Sequence, residues 1–230
     1  MRYWLIMPAA GSGRRFGAAL PKQYLDLAGR TVIEHALATF LADPRCQQIV
    51  VALDPDDTLF RQLPLAGDPR IRLVAGGAQR CDSVRNAVAG IAAADDDWVL
   101  VHDAARPCLT RADVDALIAA LADDAVGGLL ATPLSDTLKR ADQRQRVVDT
   151  PSRESLWRAL TPQMFRLRLL REALHAAEVG GRAPTDEAQA MEWAGYAPRL
   201  VAGRADNLKV TSPTDLALVA AVLAQESRTA

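Results

Sequence analysis

The chain has 230 residues, of which 50% are hydrophobic and 24% are charged, and its formal net charge is −1. This length can bury a sizeable core, and we expect one domain over residues 1–230. A net charge so close to zero argues against general electrostatic binding to nucleic acid or to an anionic membrane, so an anion site would have to be a local cluster of basic residues.

The cysteines and the apolar segments indicate a cytoplasmic protein. Cys46, Cys81 and Cys108 form no CxxC pair, which favours reduced, buried thiols over a metal site or a disulfide framework. No apolar stretch approaches transmembrane length, and the first residues lack the pattern of a signal peptide.

Short apolar runs alternate with longer stretches of helical period along the chain. The runs predicted as strands are Tyr3–Met7, Gln48–Leu53, Ile71–Val74, Trp98–His102 and Gly127–Pro133. The predicted helices are Thr31–Ala42, Asp82–Ala94, Arg111–Asp123 and a final helix capped by Ser212. Because the strands are apolar throughout, we expect helices on both faces of a mostly parallel sheet, which is an α/β layered fold.

The segment from about 134 to 160 interrupts this alternation, because polarity rises there and the helical period fails. The stretches "TLKR" and "RVVDT" predict two short strands around a polar turn, and a disordered loop is the alternative. We favour a protruding β-arm. An arm of this size cannot bury its own apolar residues, so we expect a second copy of the chain to cover it, in a homodimer.

The loop after the first strand, "PAAGSGRRFGAALPKQY" (Pro8 to Tyr24), is typical of a phosphate site. Its glycines allow backbone amides to approach a ligand, and Arg14, Arg15 and Lys22 supply positive charge. These features together predict a polyphosphate cradle, but they do not identify the ligand.

Two common phosphate-binding motifs do not fit this loop. The dinucleotide fingerprint needs a third glycine where Phe16 stands, which makes an oxidoreductase a weak alternative. A P-loop needs lysine after its last glycine, and Gly17 is followed by alanine.

Seven motifs, taken together, resemble the 2-C-methyl-D-erythritol 4-phosphate cytidylyltransferase family over nearly the whole chain. They are "PAAGSGRRFG", "PKQY", "GGAQRCDSV", "VHDAARP", "TPQMF", "TDEA" and "GRADNLKVT". The resemblance implies an enzyme that joins CTP to methylerythritol phosphate, giving a cytidine diphosphate alcohol and pyrophosphate, in a step toward isoprenoid precursors. It also implies a Rossmann-like nucleotidyltransferase fold, a requirement for Mg²⁺ and a homodimer that forms through the β-arm.

The same resemblance implies roles for individual residues. Those expected in catalysis are Arg15, Lys22, Arg153 and Lys209, of which Arg15, Lys22 and Lys209 would contact the triphosphate. Those expected to bind the rest of CTP, mainly through backbone groups, are Ala9, Ala10, Gly11, Gly13, Gly77, Ala78 and Ser83. Many relatives carry an acid at the position of Ala78, and this change weakens base selectivity only if the contact uses the side chain.

The acceptor and the metal would use a second set of residues. Those expected to bind the methylerythritol phosphate are Asp103, Arg106, Thr137, Arg153, Thr161 and Thr185, and the metal ligands would be Asp103 and Asp206. Relatives often have an acid before Arg153, where this chain has Ser152. His102 is expected to be structural, because a phosphate nucleophile is already ionised and needs no general base.

Two other functions remain as alternatives. A ribitol-5-phosphate cytidylyltransferase would share the glycine loop and the chemistry. A non-catalytic nucleotide sensor is disfavoured because every basic catalytic position is filled.

Overall fold

The structure, a computed structural model, describes residues 1–11 and 20–229. Its strands are β1 (Tyr3–Pro8), β2 (Asp26–Leu27), β3 (Arg30–Thr31), β4 (Cys46–Leu53), β5 (Ile71–Ala75), β6 (Trp98–Val101), β7 (Gly127–Pro133), β8 (Arg140–Ala141), β9 (Val147–Asp149), β10 (Trp157–Arg166) and β11 (Arg199–Ala202). Its α-helices are α1 (Val32–Leu41), α2 (Arg80–Gly90), α3 (Arg111–Leu121), α4 (Leu167–Val179), α5 (Glu187–Trp193) and α6 (Pro213–Thr229).

A seven-stranded sheet forms the centre, with the order β11-β7-β10-β6-β1-β4-β5. Strand β10 runs antiparallel to both of its neighbours, and the other neighbouring pairs are parallel. The predicted mostly parallel sheet is therefore confirmed. Because the central strands are parallel, the loops that follow β1 and β6 leave the same edge of the sheet.

Alternate residues of the central strands pack on opposite faces of this sheet. In β1, Leu5 is buried with Ile33 of α1 and Leu117 of α3, whereas Ile6 is buried with Leu170 of α4 on the other face. Helices thus cover both faces, as the continuous apolar runs predict.

The predicted strands and helices are all present, with their ends shifted by a few residues. Thr31 caps α1 in a capping box with Glu34, and the Ser212 hydroxyl accepts a hydrogen bond from the backbone N–H of Asp215 in α6. The sequence did not predict β2, β3, β10, β11, α4 and α5. Strand β10 carries polar residues and a proline in its middle, which weakens its strand pattern.

The segment predicted to form the arm contains a β-hairpin. Strands β8 and β9 pair antiparallel between residues 140 and 149, within the segment predicted at about 134–160. Val147 and Val148 are 62% and 63% exposed, and Trp157 at the base of the arm is 37% exposed. The two valines therefore have little cover within their own chain. Among residues 1–11 and 20–229, no helix is long and apolar enough to cross a membrane.

Candidate active site

A cavity of about 170 Å³ opens beyond the carboxyl end of β6. Parallel sheets commonly bind ligands at this edge. Residues from distant parts of the chain line the cavity, among them Arg80, Asp103, Arg106, Thr161, Thr185 and Lys209. The fold thus brings together five of the residues expected in the site, together with Arg80, which had no expected role.

The Asp103 carboxylate is the centre of the charge cluster in this cavity. Its Oδ1 lies 3.0 Å from Nε of Arg80, and its Oδ2 lies 2.8 Å from Nζ of Lys209 and 3.5 Å from Nε of Arg106. Burial by itself would raise the pKa of Asp103, but these three cations outweigh burial and hold the pKa well below its usual range. Asp103 is therefore ionised at neutral pH.

A buried histidine and threonine hold the backbone of Asp103. The Thr161 hydroxyl lies 2.9 Å from Nδ1 of His102 and accepts a hydrogen bond of 3.1 Å from the backbone N–H of Asp103. On the other side of the ring, Nε2 of His102 lies 3.0 Å from the carbonyl oxygen of Arg106. A carbonyl only accepts, so Nε2 carries the proton, and the threonine hydroxyl donates to Nδ1.

His102 is not placed to act as a general base. It has no exposed surface, both ring nitrogens are hydrogen-bonded, and burial lowers its pKa to about 4. The ring is thus neutral and structural, as expected from the sequence. Thr161 lines the cavity but is only 4% exposed, and its hydroxyl is hydrogen-bonded to His102 and to the backbone of Asp103.

Arg106 is held by the loop that carries Lys209. Its NH1 donates to the carbonyl oxygen of Asn207 at 2.8 Å, and Nδ2 of Asn207 donates to the carbonyl oxygen of Thr161 at 2.9 Å. Both Arg106 and Asn207 are buried. Strand β10 and the loop after β11 are thereby fixed against the end of β6.

The Lys22 side chain contacts the same loop. Its Nζ donates to the carbonyl oxygen of Val210 at 2.9 Å, one residue beyond Lys209. Although 187 positions separate the two lysines in sequence, the fold brings Lys22 to the residue that follows Lys209. Gly13 and Arg15 of the glycine-rich loop lie outside the described residues.

Residues expected to bind the base also meet in the structure. A Cβ added at Gly76 would lie 2.4 Å from the Cβ of Ala10, so the loops after β1 and β5 touch. The N–H of Gly77 donates to the Ser83 hydroxyl at 3.1 Å. Ser83 therefore holds the loop that precedes α2. Ala9 is buried, whereas Gly11 and Ala78 are exposed.

Two of the residues expected to bind the acceptor are separated from the cavity. Thr137 and Arg153 lie in the arm and are exposed, and the guanidinium of Arg153 donates to the carbonyl oxygen of Ser135. Within one chain, they do not join Asp103 and Lys209 among the residues that line the cavity.

The described residues do not fit a metal site made of two carboxylates. Both oxygens of Asp103 face cations, and Asp206 is bound by Nε and NH2 of Arg204 at 2.9 and 2.8 Å. No group of three or more His, Cys, Asp or Glu side chains that could hold a metal ion occurs in the described part of the chain.

The sequence reasoning missed two charged residues of the site. Arg80 lies within the motif "GGAQRCDSV", and Glu187 lies within "TDEA". Both motifs were singled out, but no chemistry in the sequence linked two positions that are 107 residues apart.

The chain was compared with families and proteins of known name. The family model for 2-C-methyl-D-erythritol 4-phosphate cytidylyltransferase matches residues 3–225. Proteins with that name from Pseudomonas fluorescens (strain SBW25) and Pseudomonas putida (strain GB-1) are each 54% identical to this chain over 217 residues, which cover 93% of this chain and 92% of each relative.

Solved structures give the same result. The crystal structure of 2-C-methyl-D-erythritol 4-phosphate cytidylyltransferase from Francisella tularensis superposes with a TM-score of 0.84 at 32% identity, over 96% of this chain and all of that one. The crystal structure of the protein with that name from Thermus thermophilus gives a TM-score of 0.81 at 32% identity, over 98% of this chain and all of that one.

The hydrogen bonds around Thr161 generate a prediction about stability. Thr161→Val leaves His102 Nδ1 and the Asp103 N–H without a partner, and we expect it to lower the free energy of unfolding by about 1–3 kcal/mol. Urea denaturation at pH 7 measures this loss. Thr161→Ser keeps the hydroxyl and is the matched control. Equal stability of the two variants would show that the hydroxyl does not hold this network.

Proposed function

The chain belongs to the 2-C-methyl-D-erythritol 4-phosphate cytidylyltransferase family, and we infer from this that it transfers the cytidylyl group of CTP to 2-C-methyl-D-erythritol 4-phosphate. The products are 4-diphosphocytidyl-2-C-methyl-D-erythritol and pyrophosphate, in the non-mevalonate route to isoprenoid precursors. The family match favours this acceptor over ribitol 5-phosphate.

One observation carries the assignment of the site. Lys209, Arg106 and Arg80 converge on the ionised Asp103 in a cavity at the carboxyl edge of the sheet. Three cations surround one carboxylate there, and Lys22 donates to the carbonyl oxygen of Val210, the residue after Lys209. Such a cleft suits a reaction between two phosphate compounds, because their mutual repulsion must be overcome before they can react.

The chemistry is an in-line displacement at phosphorus. A phosphate oxygen of the acceptor attacks the α-phosphorus of CTP, and the bond to the β-phosphate oxygen breaks as pyrophosphate leaves. Negative charge grows on the α-phosphate and leaving oxygens, so fixed cations stabilise the transition state more than the ground state. We assign this role to Lys22 and Lys209, and to Arg15 in the glycine-rich loop.

No proton transfer from the acceptor is needed, because its phosphate is already ionised near neutral pH. The neutral, buried His102 agrees with such a mechanism. Asp103 and Arg106 would instead bind the acceptor. The Asp103 carboxylate would accept hydrogen bonds from the hydroxyl groups of the acceptor. Thr185 lines the same cavity.

The cytosine base would lie against the two touching loops near Ala10 and Gly76. Backbone N–H and C=O groups of Ala9, Gly77 and Ala78 can distinguish the donor and acceptor edge of cytosine from that of uracil. The Ser83 hydroxyl fixes the second loop through Gly77. Because Ala78 would act through its backbone, an acid is not required at that position.

We propose that the divalent cation, Mg²⁺, is held mainly by the phosphate oxygens of CTP. Mg²⁺ commonly keeps several waters and takes one or two carboxylates plus substrate phosphates. Asp103 is the one predicted carboxylate ligand that faces the cavity. When bound, the ion would neutralise charge on the triphosphate.

The arm supports a proposed homodimer. Its valines at 147 and 148 are more than half exposed, and a second copy of the chain would provide their cover. Thr137 and Arg153 lie in the same arm, away from the cavity of their own chain. We propose that they complete the acceptor site of the partner, where Arg153 would bind the acceptor phosphate.

The cysteines support a cytoplasmic location. Cys46, Cys81 and Cys108 are buried free thiols, as is usual in a reducing compartment. We propose that the protein acts there as a single domain over 1–230 with the arm as its projection.

Release of pyrophosphate from CTP tests the proposed activity. We expect release with methylerythritol 4-phosphate and Mg²⁺, and none when the metal is chelated, while the melting temperature without substrate stays unchanged. The metal acts on substrate phosphates, so its removal should not unfold the protein. Faster release with ribitol 5-phosphate would favour the other acceptor, and no release with either would refute the function.

The same assay tests the two lysines. Lys22→Ala and Lys209→Ala should each lower turnover by roughly 10²–10³, which is the scale for removing one fixed transition-state donor. Arg61→Ala, which removes an exposed cation elsewhere on the surface, is the control and should leave turnover unchanged. Near wild-type turnover in either lysine variant would contradict its assigned role.

Mixed dimers test the shared site. If Arg153 enters the partner's site, a Lys22→Ala chain paired with an Arg153→Ala chain has one site with both defects and one intact site. Equal mixing with free exchange makes half of the dimers mixed, so we expect about a quarter of wild-type activity. Each variant alone should be nearly inactive. No recovery after demonstrated subunit exchange would place Arg153 in the site of its own chain.

A further inference from the structure

Arg80 makes a two-sided contact that the assigned chemistry does not use. Its Nε donates to Oδ1 of Asp103 at 3.0 Å. Its NH1 and NH2 donate to Oε1 and Oε2 of Glu187 at 2.7 and 3.0 Å. The planar guanidinium thus binds one carboxylate with two parallel hydrogen bonds and the second with its remaining edge, a geometry that lysine cannot reproduce.

This contact is not an ordinary surface ion pair. The Glu187 side chain is 1% exposed, that of Asp103 is 8% exposed and that of Arg80 is 24% exposed. Buried carboxylates need partners, because an unpaired buried charge is costly. Glu187 is the first residue of α5 and Arg80 is the first residue of α2, so two helix starts meet at the end of β6.

The two oxygens of Asp103 have different partners. Oδ1 faces Arg80, whereas Oδ2 faces Lys209 and Arg106. Glu187 holds the Arg80 guanidinium in place. Rotation of the Asp103 carboxylate would therefore break its contact with Arg80. We propose that Arg80 and Glu187 are positioning residues that orient Asp103 toward the acceptor. This inference rests on the proposed function, in which Asp103 binds the acceptor.

The loop expected to bind cytosine has its own support. The N–H of Gly76 donates to the carbonyl oxygen of Leu53 at 2.6 Å, and that of Gly77 donates to Ser83. Neither bond involves the Arg80 guanidinium. The cytosine loop therefore does not depend on the Arg80–Glu187 contact, and loss of this contact should disturb the acceptor far more than the binding of CTP.

Steady-state kinetics with each substrate varied in turn tests the proposal. Arg80→Lys and Glu187→Gln should each lower kcat/KM for methylerythritol 4-phosphate by about 10²-fold, the scale for a misplaced reacting group. The KM for CTP should change by less than about threefold in both. The matched control is Arg85→Gln, which removes an arginine of α2 that pairs with Glu178 of α4, and it should leave both values unchanged.

A double variant separates positioning from a general structural role. In the Asp103→Asn background, Glu187→Gln should cost less than about threefold further, because its effect passes through Asp103. The proposal would be overturned if the losses in kcat/KM from the two substitutions multiplied, or if the kinetics with CTP were impaired as much as those with the acceptor. An Arg80→Lys variant with kcat/KM within twofold of wild type would also overturn it.

If Arg80→Lys or Glu187→Gln does not fold, a double variant takes its place. Arg80→Gln combined with Glu187→Gln leaves no lone buried charge between the two helices and carries the same kinetic expectation, with the same outcomes against it. Wild-type protein that releases no pyrophosphate from CTP would refute the proposed function, whereas active wild type with unaffected variants would refute this inference alone.

Discussion

The buried carboxylate of Asp103 is the constraint on which the rest of the site depends. A carboxylate in this position is stable only because Arg80, Lys209 and Arg106 surround it. Each cation comes from a different part of the chain. The ion pairs with Asp103 therefore hold together the start of α2, the loop after β6 and the loop after β11. The same cations then face the cleft, where they can meet phosphate.

The sheet topology makes this convergence possible. Strand β10 enters between β6 and β7 in the opposite direction, which places Thr161 beside the end of β6. There its hydroxyl joins His102 to the backbone of Asp103. A parallel strand in that place would put its residues in the reverse order along the edge. The antiparallel direction of β10 is thus what brings the interior hydrogen-bond network to the site.

Basic residues are concentrated at the site, although the chain as a whole has nearly equal numbers of basic and acidic residues. The chain carries 27 basic and 28 acidic residues, yet Lys22 and Lys209 are drawn to one loop beside the cavity. A cleft of this kind attracts anionic substrates over short distances without making the whole protein bind polyanions. Arg153 lies in the exposed arm and is not among the residues that line the cavity of its own chain.

Local patterns in the sequence determined the positions of most central strands, of several helices and of the hairpin. Continuous apolar runs such as Tyr3–Met7 predicted buried parallel strands, and Thr31 and Ser212 marked helix starts, because strand burial and helix capping depend on neighbouring residues. The hairpin of the arm followed from a local change in polarity. The motifs around Lys22, Asp103 and Lys209 identified the family through the resemblance that they share.

Only the tertiary structure decided which side chains meet. The pairing of Arg80 with Glu187 joins residues 107 positions apart, and the Thr161 hydroxyl contacts His102, which is 59 positions away. Strand β10 was missed for a related reason, because its pairing with β6 and β7 outweighs a weak local pattern. Contacts between distant residues depend on the whole sheet, and no single stretch of sequence contains that information.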